Sequence, residues 1–144
     1  MRKRKIENEK VRTEAWEQKQ VIKWKRANQI KYSELQLLHA SMNGVRISSP
    51  KIRKEIKEQG LEKGFPDLML DVAKRDYHGL RIEMKRTKGG VVSKEQKLVL
   101  GKLEEAGYFV MVCKGCIEAI ECICWYLDIP VPKLISNRMG VEGR

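Results

Sequence analysis

Gly64-Phe-Pro-Asp-Leu-Met-Leu-Asp-Val72, followed after a short polar break by Leu80-Arg-Ile-Glu-Met-Lys85, organises the reading of the whole chain. Leu68 to Val72 is an apolar run with one acid in it, Leu80 to Met84 alternates, and the residues around Asp76 to Gly79 suit a turn. That pattern predicts a β-hairpin. Side chains on a strand alternate faces, so Glu83 and Lys85 emerge together while Met84 turns away. Asp67, at the near end of the partner strand, then lies beside Glu83, and two carboxylates and an amine share one small site. Mg²⁺ is commonly held by one or two carboxylates plus waters and phosphate oxygens. Such an ion lowers the pKa of a bound water and neutralises charge on a phosphate, while Lys85 is placed to orient the water and offset transition-state charge. A plainer reading also fits: Glu-x-Lys on an exposed strand is a solvated ion pair, and Asp after Pro starts a turn.

Outward from this hairpin the elements alternate in type. Ala15, Trp16, Val21, Ile22 and Trp24 give a helical pattern from about Thr13 to Asn28, with Glu14 and Glu17 within one turn of the apolar stripe and directed inward. Leu35 and Leu37 in Tyr32 to Ala40 predict a strand ended by Asn43-Gly44, and Pro50 opens a helix that stops near Gly60. Downstream, Ser93-Lys-Glu-Gln96 is a capping-box pattern ahead of a helix to Ala106, with Gly107 as its stop. Tyr108 to Cys113 reads as a strand and Ile117 to Leu127 as a helix. The succession helix, strand, helix, hairpin, helix, strand, helix predicts an α/β architecture with a mixed sheet of about four strands.

A chain of 144 residues suits one domain. Lys and Arg number 30 against 19 Asp and Glu, and the excess is concentrated early, with 11 basic and 4 acidic residues among positions 1–31. A balance of this kind favours a polyanionic partner, since each cation meeting a phosphate releases a counterion. No apolar run reaches the roughly 18 residues of a membrane span, and Met1 to Lys5 leads into charged sequence rather than a signal peptide's apolar segment. The expected location is therefore the cytosol. Residues 1–12 form a basic arm, 13–127 the folded domain, and 128–144, from just before Pro130 and Pro132, a tail expected to be poorly ordered.

Cys113, Cys116, Cys122 and Cys124 lie in one short stretch. The first pair has zinc-site spacing, but the second is Cys-x-Cys with no His nearby, so reduced, packed thiols are expected. His39 in an apolar strand and His78 in a turn are read as structural. Trp16, Trp24 and Trp125 fall at helical apolar positions and are read as core rather than base-stacking platforms.

Gly64-Phe-Pro-Asp67 with Glu83-x-Lys85 resembles the PD-(D/E)XK nuclease signature, and the surroundings resemble its VRR-NUC branch, typical of phage and bacterial replication and repair proteins. The likeness runs from about Thr13 to Leu127. It takes in Thr13-Glu14-x-x-Glu17-Gln18 with Trp24, Asn43-Gly44-x-Arg46, Glu58-x-Gly60, Tyr77-His78-Gly79, Ser93-x-x-Gln96 and Gly107-Tyr108. The resemblance implies a restriction-endonuclease-like core and a DNA endonuclease using Mg²⁺ or Mn²⁺. Asp67, Glu83 and the Met84 carbonyl would bind the metal, with Lys85 as catalytic lysine and Gln96 at the active site. A further carboxylate would come from the first helix, either Glu14 or Glu17, with Glu14 preferred as metal ligand. Asn43 and Arg46 match a family loop near the site and are expected to meet DNA, although Asn43 also suits a turn, and Arg86 and Lys88 stand in a basic loop suited to a phosphate backbone. Gln96 has a second reading as the capping box alone. Small stand-alone members resemble Holliday-junction resolvases, which implies branched or double-stranded DNA, a role in phage replication, recombination or repair, and a homodimer. The alternative is a non-catalytic nucleic-acid-binding accessory protein with a nuclease-like fold.

Overall fold

The computed structural model describes residues 10–133. Helix α1, Glu14–Asn28, begins where the Thr13 hydroxyl accepts the Trp16 N–H at 3.1 Å, a cap that stabilises by about 1 kcal/mol. Its buried stripe runs through Glu17 and Val21, with Trp24 against the core. Trp16, about 100° around the helix from Glu17, is left 37% exposed, which corrects its assignment to the core. Trp125 is likewise 46% exposed, with the Arg75 guanidinium 4.2 Å over its ring.

The strand expected from Tyr32 starts late. Ser33–Leu37 is a 3₁₀ turn and β1 is only Leu38–Ala40. Leu35 and Leu38 are buried while Leu37 is exposed, and burial every third residue is the 3₁₀ period, not strand alternation. A second 3₁₀ turn, Met42–Gly44, leads on to α2, Pro50–Glu58, which has no buried residue and stands outside the core.

Strands β2, Leu68–Leu70, and β3, Leu80–Lys85, pair antiparallel with Leu68 opposite Ile82. The chain reverses between them at Arg75 and Asp76, both at positive φ and bridged by Lys74 and Tyr77, slightly earlier than the sequence suggested. Helix α3, Lys94–Glu105, carries the full Ser93/Gln96 capping box; β4, Phe109–Lys114, and α4, Cys116–Leu127, complete the fold. The sheet order is β1-β2-β3-β4, with the first two pairings antiparallel and β3–β4 parallel. This is the mixed four-stranded sheet expected.

One face of the sheet presents Leu68, Leu70, Leu80, Ile82 and Met84 to a core shared with Val21 of α1 and Ala119, Ile123 and Leu127 of α4. The Tyr126 hydroxyl donates to the Val72 carbonyl at 2.6 Å and accepts the Lys74 N–H at 3.2 Å, fastening α4 to the hairpin. Cys113, Cys122 and Cys124 are buried and Cys116 is half-buried, all as free thiols. Beyond α4, Ile129 and Val131 still pack against the core, so the segment after Asp128 begins as packed chain. The first part of the basic arm and the last part of the tail lie outside the described residues. No helix among the described residues is long and apolar enough to cross a membrane.

Candidate active site

The alternation that buries Leu80, Ile82 and Met84 sends Glu83 and Lys85 to the opposite face of β3, beneath the first turn of α3. They are not a solvated pair: Glu83 is 1% and Lys85 6% exposed, with Lys85 Nζ 3.4 Å from Glu83 Oε1. Extending the β2–β3 register by one residue sets Asp67 opposite Glu83, and Asp67 Oδ2 accepts the Met84 N–H at 2.8 Å. Asp67 is thus fixed by the strand that carries its neighbours rather than by a turn of its own.

Gln96 joins both readings made of it. Its Oε1 accepts the Ser93 N–H at 2.9 Å and Lys85 Nζ at 3.1 Å, while its Nε2 donates to Glu83 Oε1 at 2.6 Å. The capping box therefore orients the amide that holds the lysine and one carboxylate oxygen together.

The other oxygen, Glu83 Oε2, is buried with no hydrogen-bond partner. Burial, and then the neighbouring Asp67 charge, push the Glu83 carboxyl up to about 8. Burial also raises Asp67, partly offset by the Met84 N–H, and the Glu14 charge adds to the rise. A buried acceptor without a partner costs roughly 1–3 kcal/mol. Without a cation, this acidic pair therefore retains a proton near neutral pH.

These features suit a hard divalent cation. The donors are carboxylate oxygens, one of them lacks a partner, and a positive ion would replace the proton that the pair holds. Among the described residues, no three His, Cys, Asp or Glu side chains form a ready metal cage. Two carboxylates with remaining positions for water and phosphate match Mg²⁺ or Mn²⁺ chemistry. The backbone of the Met42–Gly44 turn comes close as well: a Cβ on Gly44 would sit 3.5 Å from Asp67 Oδ1 and 4.0 Å from Gln18 Oε1.

The two acids of α1 part company. Glu17, only 4% exposed, accepts the Cys116 N–H at 2.7 Å through Oε2 and so caps the start of α4. This hydrogen bond gives Glu17 a structural task at a helix N-terminus that would otherwise be unsatisfied. Glu14 is exposed and is the α1 acid whose charge reaches Asp67. Gln18, four residues on and on the same side of α1, was not named as a candidate site residue; its signals in the sequence were the i, i+4 spacing from Glu14 and its place in the Thr13 to Gln18 pattern.

The residues expected to meet DNA are more scattered. Asn43 donates its side-chain amide to the Phe65 carbonyl at 3.3 Å, tying the Met42–Gly44 turn to the segment before Asp67, and Arg46 is exposed beyond that turn. Arg86 folds back to donate to the Gly89 carbonyl at 3.3 Å, whereas exposed Lys88 lines a cavity beside the site. His39 pairs with Asp71 at 2.7 Å, and Arg81 meets the same carboxylate at 3.1 Å, away from the acidic pair.

Gly64 sets the spacing of the site. It lies at φ +89, and an added Cβ would stand 2.7 Å from the Glu95 carbonyl oxygen at the start of α3. Gly64→Ala is expected to destabilise by about 2–4 kcal/mol, combining left-handed backbone strain with backbone overlap. Thermal denaturation measures the loss; a change below about 0.5 kcal/mol would contradict the close approach.

A family model, described as the VRR-NUC domain, matches residues 5–116. Among solved structures, one titled "VRR_NUC domain protein" is similar at 29% sequence identity and TM-score 0.68, covering 84% of this chain and 93% of that one. No curated protein matches the chain.

Proposed function

The chain belongs to the VRR-NUC nuclease family, and on that premise we propose that it is a divalent-metal-dependent DNA endonuclease built on Asp67, Glu83, Lys85 and Gln96. The observation carrying this reading is Glu83 Oε2, buried and without a partner beside a second carboxylate. Asp67, Glu83, the Met84 carbonyl and Glu14 would hold Mg²⁺ or Mn²⁺. When bound, the ion supplies Lewis acidity toward a phosphodiester and lowers the pKa of a coordinated water.

The protein's own groups account for the remaining requirements. Lys85, held by Gln96 and Glu83, projects a buried ammonium toward the site where phosphate charge develops, and there it orients the attacking water. Gln96 fixes Lys85 and Glu83 relative to one another. Glu83 must surrender its proton as the cation enters, so binding is coupled to pH. An accessory protein that only bound DNA would have no use for a buried carboxylate oxygen without a partner, which favours the enzyme.

Incubation of wild-type protein with linear, nicked, flapped and four-way-junction DNA, in Mg²⁺, Mn²⁺ or EDTA, tests the proposal. Cleavage is expected with either metal and none in EDTA; no cleavage of any substrate with either metal would overturn it. Faster cleavage of the four-way junction, with a dimeric mass by light scattering, is the result expected for the finer reading of branched DNA cut by a homodimer.

A further inference from the structure

At the C-terminal ends of β3 and β4 lies a cavity of about 540 Å³ that the nuclease chemistry above does not use. Its walls come from the segment before α1, the first turns of α1, the loop after β3 and the β4–α4 junction. Lys10, Arg12, Lys88 and Lys114 line it, against a single acid, Glu17, whose Oε2 is engaged by the Cys116 N–H. One wall is the partly exposed Trp16 ring, with the Arg12 guanidinium 4.8 Å over its centroid.

The cavity adjoins the backbone that carries Lys85. Lys114 is the register partner of Lys85, and the Gly115 N–H donates to the Lys85 carbonyl at 2.8 Å. Gly115 lies at φ +89, and a Cβ there would come 2.8 Å from Thr87 Cγ2. A side chain at position 115 would therefore collide with Thr87, and the wall there is bare backbone.

We infer that this cavity is a nucleotide subsite, which takes an unpaired nucleotide of a DNA strand adjoining the cleaved phosphate, its base displacing the Arg12 guanidinium from the Trp16 ring and its phosphates among Arg12, Lys88 and Lys114. The inference rests on the nuclease reading for its choice of DNA. Cations beside an exposed aromatic face are the two components of sequence-tolerant single-strand binding. Inside a duplex both faces of a base are covered by its neighbours, so an unpaired base offers Trp16 a face that the duplex interior does not. A volume of this size lies within the usual range of small-ligand sites.

The test is binding in EDTA, which does not depend on cleavage, so failure of the subsite and failure of the nuclease reading are separable. Fluorescence anisotropy with a labelled oligothymidylate and a blunt duplex compares wild type, Trp16→Ala and Trp16→Phe. Trp16→Ala is expected to weaken oligothymidylate binding about tenfold, Trp16→Phe to restore most of it, and duplex binding to stay within about twofold. Lys114→Gln is expected to reduce the salt slope of oligothymidylate binding by about 1. Unchanged oligothymidylate affinity in Trp16→Ala, or equal losses for both DNAs, would overturn the subsite. Should Trp16→Ala fail to fold, the emission of the wild-type protein decides. Trp16 is one of three tryptophans, so oligothymidylate should quench a distinct part of the signal where duplex does not, and equal or absent quenching refutes the inference. Thymidine monophosphate competing as well as the oligonucleotide would assign the cavity to a free nucleotide and overturn the strand as its source.

Discussion

Asp67→Asn is expected to lower single-turnover DNA cleavage in Mn²⁺ by about a thousandfold or more while leaving the protein folded. The substitution keeps the shape of the side chain, and its amide oxygen can still accept the Met84 N–H that Asp67 receives at 2.8 Å. What it removes is an anionic oxygen facing Glu83 and the Glu14 charge. Burial and Glu14 already press Asp67 toward its neutral form, so neutralising it should leave the melting temperature unchanged or slightly higher. Loss of a carboxylate that holds a catalytic cation removes several kcal/mol of transition-state stabilisation, and about 4 kcal/mol corresponds to a thousandfold. Cleavage within tenfold of wild type would show that Asp67 is not a ligand. A thousandfold loss together with a collapsed melting temperature would assign the residue to folding instead.

The hairpin was legible because its information is local. Alternation along Leu80 to Lys85 is enough to put Glu83 and Lys85 on one side of the strand, and the polar break before it is enough to turn the chain. Helix limits at Thr13, Pro50, Ser93 and Gly107 followed from caps and stops that need no partner. Ser33–Leu37 was misread because two leucines at i and i+2 look like a strand. The pair that is buried, Leu35 and Leu38, is defined only by what α1 and β2 place around it.

The site was legible in its residues and not in their surroundings. Spacing could not distinguish the surroundings of Glu14 and Glu17, because Glu17 is engaged by the Cys116 N–H, which lies nearly a hundred residues along the chain. Nor could it reveal that the Gln96 side chain caps α3 and meets Lys85 and Glu83 at once, since that requires α3 to sit over β3. Trp16 was assigned to the core by helical periodicity. Its actual placement depends on which stripe of α1 meets the sheet, and the stripe through Val21 leaves it facing a basic cavity. In each case the local pattern was right, and the missing fact was a contact between distant segments.

Glu83→Gln carries the second large effect, on stability as a function of pH. In the metal-free protein the Glu83 carboxyl stands at about 8 against an ordinary value of 4.5, so across that interval the folded state binds more protons than the unfolded state. Stability is then fully present below about pH 4.5 and is lost as pH rises through about 8. Over the full interval the loss is on the order of 5 kcal/mol, or roughly 10–15 °C in melting temperature for a domain of this size. Glutamine cannot titrate. Its Oε1 can accept from Gln96 and Lys85, and its amide N–H stands in for the proton that the acidic pair holds. Melting temperatures in EDTA from pH 5 to pH 9 should therefore fall for wild type and stay flatter for Glu83→Gln, with the two curves diverging above neutrality. Mn²⁺ should reverse the wild-type loss, more strongly at higher pH, because the cation competes with the proton for the same oxygens. Glu83→Gln should show little of that gain. Parallel curves for the two proteins would mean that the buried carboxyl does not hold the proton, and equal stabilisation of both by Mn²⁺ would place the metal elsewhere.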